Sequence, residues 1–507
     1  MTEDALVRLG ISGLDEICLG GIPRRNVILV KGDVGTGKTT FGIEFIYRGI
    51  TKFNEPGIIV VFETSPGKLV QDAESMGWDL LELQEQKKLQ IVFTRPKVFE
   101  QELFSSDSLL LQMAAEIGAR RIFIDSIGLF RSSAGTDSYR ELLKQLVEWL
   151  TRENLTAVLS CEVGTSPESQ FAAEVPDFVF DTVILLKQTT SRRASRRNIE
   201  IIKSRGHEYE TGEHTLQICN GQGLRVFRRV QAPLRNEGAQ PSSAARRSAI
   251  GVPDLDALLG GGIFDGSTTM VVGLSGVGKT VLGTQILREG ALRLSCRGLL
   301  VSLDEHPAQI VRNAETLGLR LQEQVDAGTI HLLFQTPQEL NIDVHFAQIV
   351  ETIEKYDIQR LVIDGMTSYS TALAEQAVYR DFFHALVAYS KKRLMTTFFN
   401  YENPEFLGLS TFMPEFPVSS IVDNIILLSL VEIDSSLRRC LTVVKARGSK
   451  HEFDSREYVI GQGGIELRPA EVRRVAELPF SHYSSILSRA PSRIPTATRP
   501  KAKSGHR

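Results

Sequence analysis

No CxxC pair, nor any close grouping, joins the five cysteines of this 507-residue chain. Cys18, Cys161, Cys219, Cys296 and Cys440 lie too far apart for a zinc ribbon or a disulfide framework, and five reduced thiols are expected. No apolar run approaches the ~20 residues that a bilayer span needs, and nothing resembles a signal peptide, so a cytoplasmic location without membrane contact is expected. Excess charge is also lacking. A net charge of −3 gives no global attraction to nucleic acid or anionic lipid. The chain is nevertheless too long for one core, and its 42% hydrophobic and 23% charged residues are those of a folded protein. Two or more domains follow.

What fills that length is a duplication. Gly10-Ile-Ser-Gly-Leu-Asp-Glu-Ile-Cys-Leu-Gly-Gly21 is matched by Gly251-Val-Pro-Asp-Leu-Asp-Ala-Leu-Leu-Gly-Gly-Gly262. Each precedes a short apolar strand and a glycine-rich loop, Gly32-Asp-Val-Gly-Thr-Gly-Lys-Thr39 and Gly273-Leu-Ser-Gly-Val-Gly-Lys-Thr280. Val61-Phe-Glu-Thr-Ser-Pro66 parallels Ser302-Leu-Asp-Glu-His-Pro307. Arg121-Ile-Phe-Ile-Asp-Ser126 parallels Arg360-Leu-Val-Ile-Asp-Gly365, and Lys203-Ser-Arg-Gly206 parallels Lys445-Ala-Arg-Gly448. Every landmark recurs about 240 residues later and in the same order, which describes a duplicated domain and not a short solenoid repeat.

The domains are therefore placed at 1–230 and 249–470. A linker at 231–248 is poor in large apolar residues, and the basic tail at 471–507 is expected to be disordered when unbound. Within each copy, apolar runs such as Val27–Val30, Gly57–Phe62 and Ile122–Ile124 alternate with stretches of helical spacing, such as Phe41, Phe45 and Ile46. That alternation predicts an α/β fold with a mostly parallel sheet flanked by helices.

The loops carry the chemistry. In GxxxxGK[ST], Gly32, Gly35 and Gly37, with Gly273, Gly276 and Gly278, let backbone N–H groups converge on phosphate at a helix N-terminus. Lys38 and Lys279 are placed to reach the terminal phosphates of ATP, and Thr39 and Thr280 offer hydroxyls to Mg²⁺, with Thr40 beside the first. Asp125 and Asp364 end apolar strands and are expected to hold the same metal. Glu63, Asp304 and Glu305 follow the next strand, at the sheet edge where α/β proteins bind ligands. There a carboxylate accepts a proton from water or a substrate hydroxyl. The plainer alternative for these acids is capping of the following helix.

These landmarks, with Ile421-Val-Asp-Asn-Ile-Ile-Leu-Leu-Ser-Leu-Val-Glu-Ile433, resemble the KaiC family of RecA-like ATPases from about residue 5 to about residue 468. The resemblance implies two tandem RecA-like P-loop domains in a two-tiered hexameric ring, with each ATP bound where neighbouring subunits meet. It implies that Lys203, Arg205, Lys445 and Arg447 reach the neighbour's phosphates. It also implies self-phosphorylation on Ser419 and Ser420, which stand where the family has its adjacent hydroxyl residues. The family has two neighbouring glutamates where this chain has Glu63-Thr64 and Asp304-Glu305, so the relative activity of the two halves is open. The tail bears no likeness to the family's regulatory segment. Further copies of this chain and regulatory proteins are the implied partners, and nucleic acid is not.

Two other classes stand beside this one. A DNA recombination or repair ATPase draws on the fold and on Arg192-Arg-Ala-Ser-Arg-Arg197; a nucleotide-gated scaffold would bind ATP with little turnover. Steep salt dependence of DNA binding separates the first, and turnover the second.

Overall fold

The computed structural model describes residues 5–105, 108–133, 136–163, 176–191, 194–231, 246–373, 375–402, 418–433 and 436–469. The tail at 471–507 and positions 232–245 of the linker lie outside the described residues. By internal contacts the chain divides into two compact units, Met1–Arg229 and Val230–Arg507. Arg247–Ser248, at the end of the 231–248 segment, pairs antiparallel with Ile263–Phe264.

Each unit is built on one nine-stranded sheet. The first contains β1 (Val27–Gly32), β2 (Gly57–Val61), β3 (Leu89–Phe93), β4 (Arg121–Asp125), β5 (Thr156–Glu162), β6 (Thr182–Ser191), β7 (Ala194–Ser204), β8 (Glu213–Cys219) and β9 (Gly223–Phe227). Their spatial order is β3-β2-β4-β5-β1-β6-β7-β8-β9. The strands from β3 to β6 run parallel, and β7 to β9 complete the sheet antiparallel.

The second unit repeats this order. Its strands are β10 (Thr268–Gly273), β11 (Gly298–Ser302), β12 (Ile330–Phe334), β13 (Arg360–Asp364), β14 (Thr396–Glu402), β15 (Asn424–Ile433), β16 (Ser436–Ala446), β17 (Arg456–Gly461) and β18 (Gly464–Leu467). They lie as β12-β11-β13-β14-β10-β15-β16-β17-β18. The duplication read from sequence is thus a duplication of topology.

Continuous apolar runs form these central strands because helices cover both faces of a parallel sheet. In β1, Ile28 and Val30 enter one core while Val27 and Leu29 enter the core on the opposite face. In β10, Val271 and the pair Met270 and Val272 divide in the same way. Helix α1 (Lys38–Phe53) follows the first loop and buries Phe41, Phe45 and Ile46; α2 (Lys279–Arg293) follows the second. Two buried arginines fasten the layers. Arg121 donates to the carbonyls of Phe45 and Arg8 at 3.0 and 2.8 Å, and Arg360 donates to those of Ile286 and Ala249 at 2.7 and 2.9 Å.

The aspartate of each LD pair has a structural task. Asp15 accepts from the N–H groups of Leu9 and Gly10, at 2.7 and 3.0 Å, and Asp256 accepts from those of Ile250 and Gly251. Burial raises both carboxyls above the ordinary aspartate value, against the pull of these donors. Asp256→Ala strands two N–H groups. It is expected to cost the second unit about 1–3 kcal/mol, read as an earlier denaturant midpoint with the first unit's transition unmoved.

Candidate active sites

The strand-loop-helix order puts both loops at the C-terminal edge of their sheets, where β1 and β10 end and α1 and α2 begin. Gly37 and Gly278 have φ of 103° and 104°, the left-handed region. A Cβ on either would also meet the next layer, 2.9 Å from Ile218 Cδ1 and 2.6 Å from Ile460 Cδ1. The last glycine of each motif therefore turns the loop and seats the helix against the antiparallel hairpin.

Lys38 Nζ donates to the carbonyls of Gly32 and Asp33, both at 2.8 Å, and Lys279 Nζ donates to those of Gly273 and Leu274 at 2.9 and 2.7 Å. Both ammonium groups are thus held across the mouth of their own loop. Burial lowers each below the ordinary lysine value, opposed chiefly by Glu162 and Asp125 for Lys38 and by Glu402 and Asp364 for Lys279.

Beside each lysine the helix hydroxyl meets the strand-end carboxylate. Thr39 Oγ1 donates to Asp125 Oδ2 at 2.7 Å, and Thr280 Oγ1 donates to Asp364 Oδ2 at 2.6 Å. A hydroxyl and a carboxylate so joined are a donor set suited to Mg²⁺, a hard cation that takes oxygen ligands. Burial raises Asp364 above the usual aspartate value, against the pull of Thr280, Asn400 and Lys279. The residues fit the metal. Thr40 differs from its neighbours, since Val281 stands at the matching place in the second copy.

The acids after β2 and β11 are spared from capping. Ser65 accepts from Lys68 N and His306 from Ala308 N at the starts of the next helices, so the alternative role fails for Glu63, Asp304 and Glu305. Glu63 is exposed and has no side-chain hydrogen bond or ion pair among the described residues. Asp304 accepts from Ser368 Oγ. Glu305 is half-buried, and burial, then the charges of Asp364 and Asp304, raises it above the ordinary glutamate value. Such a shift suits a proton acceptor.

Several neighbours of these sites are not evident from motifs. Ser160 Oγ donates to Asp125 Oδ1, and Asn400 is buried beside Asp364 at the same place in the second sheet. Strand register sets Glu162 level with Gly32 and Glu402 level with Gly273. Arg197 Nε, on the hairpin strand β7, donates to the carbonyl of Gly35 at 3.2 Å. Glu44 of α1 accepts from Leu224 N, and Gln285 of α2 accepts from Ile465 N, both at 2.7 Å, joining each loop helix to its terminal strand.

The four basic residues of the two KxRG segments lie elsewhere. Lys203 is level with Val183, and Val183 with Leu29, three residues back from Gly32; Lys445, Ile425, Met270 and Gly273 repeat the relation. Three residues of strand are about 10 Å. Their side chains turn further from the loop. Lys203 Nζ donates to Phe180 O and Lys445 Nζ to Val422 O, both at 2.7 Å, at the N-terminal ends of β6 and β15. Arg205 and Arg447 donate to the carbonyls of Phe178 and Ser420 there, and their side chains remain 60% and 56% exposed. Ser419 and Ser420 belong to a helical turn, Val418–Ile421, and Ser420 is exposed. Neither the serine pair nor the four cations lie beside the P-loop of their own domain.

Two Walker-type sites on two sheets of identical order define a tandem RecA-like ATPase. The family model described as "ATPase: KaiC" matches twice, over residues 7–231 and 248–472. The chain is 33% identical over 497 residues to the circadian clock oscillator protein KaiC of Picosynechococcus sp., covering 96% of this chain and 92% of that one. It is 32% identical to those of Prochlorococcus marinus and Thermostichus vulcanus, covering 96% of this chain and 95% and 91% of theirs. The chain belongs to the KaiC family of ATPases.

Proposed function

We propose that this chain binds Mg-ATP in both domains, hydrolyses it slowly, and assembles through ATP into a homo-hexameric ring that acts in signalling or timing. The observation that carries the reading is the Thr–Asp pair repeated beside a P-loop lysine in both units. Thr39 and Asp125, with Thr280 and Asp364, hold the metal, which when bound neutralises phosphate charge. Glu63 in the first site, and Asp304 or Glu305 in the second, take the proton of the attacking water or, in the second, of the serine hydroxyl. Lys203, Arg205, Lys445 and Arg447 stabilise phosphate charge on the neighbouring subunit, because they lie away from their own loops.

The second domain is also proposed to phosphorylate itself on Ser419 or Ser420. The serine turn sits with Arg447 at the far end of β15 from its own loop, so transfer is between subunits. Incubation with γ-labelled ATP and Mg²⁺, following free phosphate and protein-bound label together, tests both activities. Label is expected on the Ser419–Ser420 peptide, and its loss is expected in a Ser419→Ala, Ser420→Ala double variant that still releases phosphate. Protein that hydrolyses ATP with neither serine labelled would be an ATPase only.

A further inference from the structure

The second site contains a hydroxyl cluster that the first lacks. Three successive residues, Thr367, Ser368 and Tyr369, follow Met366 in helix α3 (Met366–Ala372), just beyond β13, where the first domain has Gly128, Leu129 and Phe130. Each of the three makes a separate attachment. Thr367 Oγ1 accepts from Glu402 N at 2.9 Å and donates to Glu402 O at 3.2 Å, fixing the helix to the end of β14. Tyr369 OH and His345 Nε2 form a buried hydrogen bond of 2.8 Å, and the Tyr369 ring stacks on Phe382 at 4.8 Å between centroids. Between these two anchors, Ser368 Oγ donates to Asp304 Oδ1.

We propose that Ser368 is a positioning residue of the second ATP site, holding the Asp304 carboxylate in its working orientation. Asp304 is one methylene shorter than Glu63, its counterpart, so its carboxylate stays close to the end of β11. It is met there by a hydroxyl whose own place is fixed from both sides. The bond occupies Oδ1 and leaves Oδ2, which lies towards Gly365 and the strand-end aspartate, free to accept a proton. Glu63, with its longer side chain, has no such partner among the described residues. The shorter acid and the hydroxyl cluster are therefore one adaptation of the second domain.

The proposal rests on reading Asp304 as a proton acceptor, and its test separates the two. In full-length protein carrying Glu63→Gln, which removes the first site's acid and leaves its loop intact, phosphate release is measured against ATP concentration. Ser368→Ala is expected to lower kcat about ten-fold or more, as loss of orientation does, with KM and bound nucleotide unchanged. Ser368→Thr keeps the hydroxyl and is expected to restore kcat to within about two-fold. A Ser368→Ala variant with parental kcat, a loss seen only in KM or bound nucleotide, or a threonine that restores nothing would overturn the proposal. Asp304→Asn in the same background distinguishes the failures. If it leaves turnover intact, the reading of Asp304 itself falls; if it stops turnover where Ser368→Ala does not, only the positioning role falls.

Discussion

Lys38→Ala is expected to halve the nucleotide that each chain retains, Lys279→Ala to remove the other half, and the double variant to retain none. Each ammonium is held by two carbonyls of its own loop, and on the proposed reading it meets the terminal phosphates there. A hydrogen bond from a charged group contributes about 1.5–3 kcal/mol, so an ammonium that turns from these carbonyls to make two to phosphate oxygens is expected to contribute a hundred-fold or more to binding at that site. The sites belong to separate units with separate cores, so at a protein concentration that keeps the chains assembled the loss does not spread. Nucleotide counted per chain after gel filtration measures it. A single variant that keeps both nucleotides, or loses both, contradicts two independent sites.

Arg205→Glu carries the second large effect. An arginine supplied to a neighbour's phosphates accelerates phosphoryl transfer by about 10³-fold or more, so first-site hydrolysis should fall by that order. Its side chain is mostly exposed and its register places it away from its own loop, so ATP binding to an isolated subunit should change little. Sedimentation with saturating ATP should show a ring for the parent and smaller species for the variant. A parent that stays monomeric in ATP removes the trans reading altogether.

The sites were legible in part because their motifs are local. Gly32 to Thr39 is a continuous run whose spacing fixes its chemistry, and Asp125 announces itself by ending an apolar strand. Ser160 and Asn400 carry no such mark. They reach the strand-end aspartates only because β5 and β14 lie between a loop strand and a strand ending in aspartate, and a neighbour in a parallel sheet is set by packing, not by proximity in sequence. Glu162 and Glu402 had a usable signal, the repeat itself, since they recur about 240 residues apart like the motifs. The helical turn at Ser419 and Ser420 was hidden because two serines beside a proline favour polar loops as readily as helix starts. The strand pattern was the easiest part, as runs such as Val27–Val30 have no hydrophilic face to present to water.

The placement of Lys203 and Lys445 away from their own loops makes ATP a shared component of two chains on the reading above. Binding and association are then linked, and the linkage is reciprocal: whatever ATP adds to contact between chains, contact must return to the affinity for ATP. Occupancy then depends on protein concentration as well as on nucleotide. Dilution at fixed ATP should strip nucleotide from the chain, and crowding more copies together should retain it, by mass action alone.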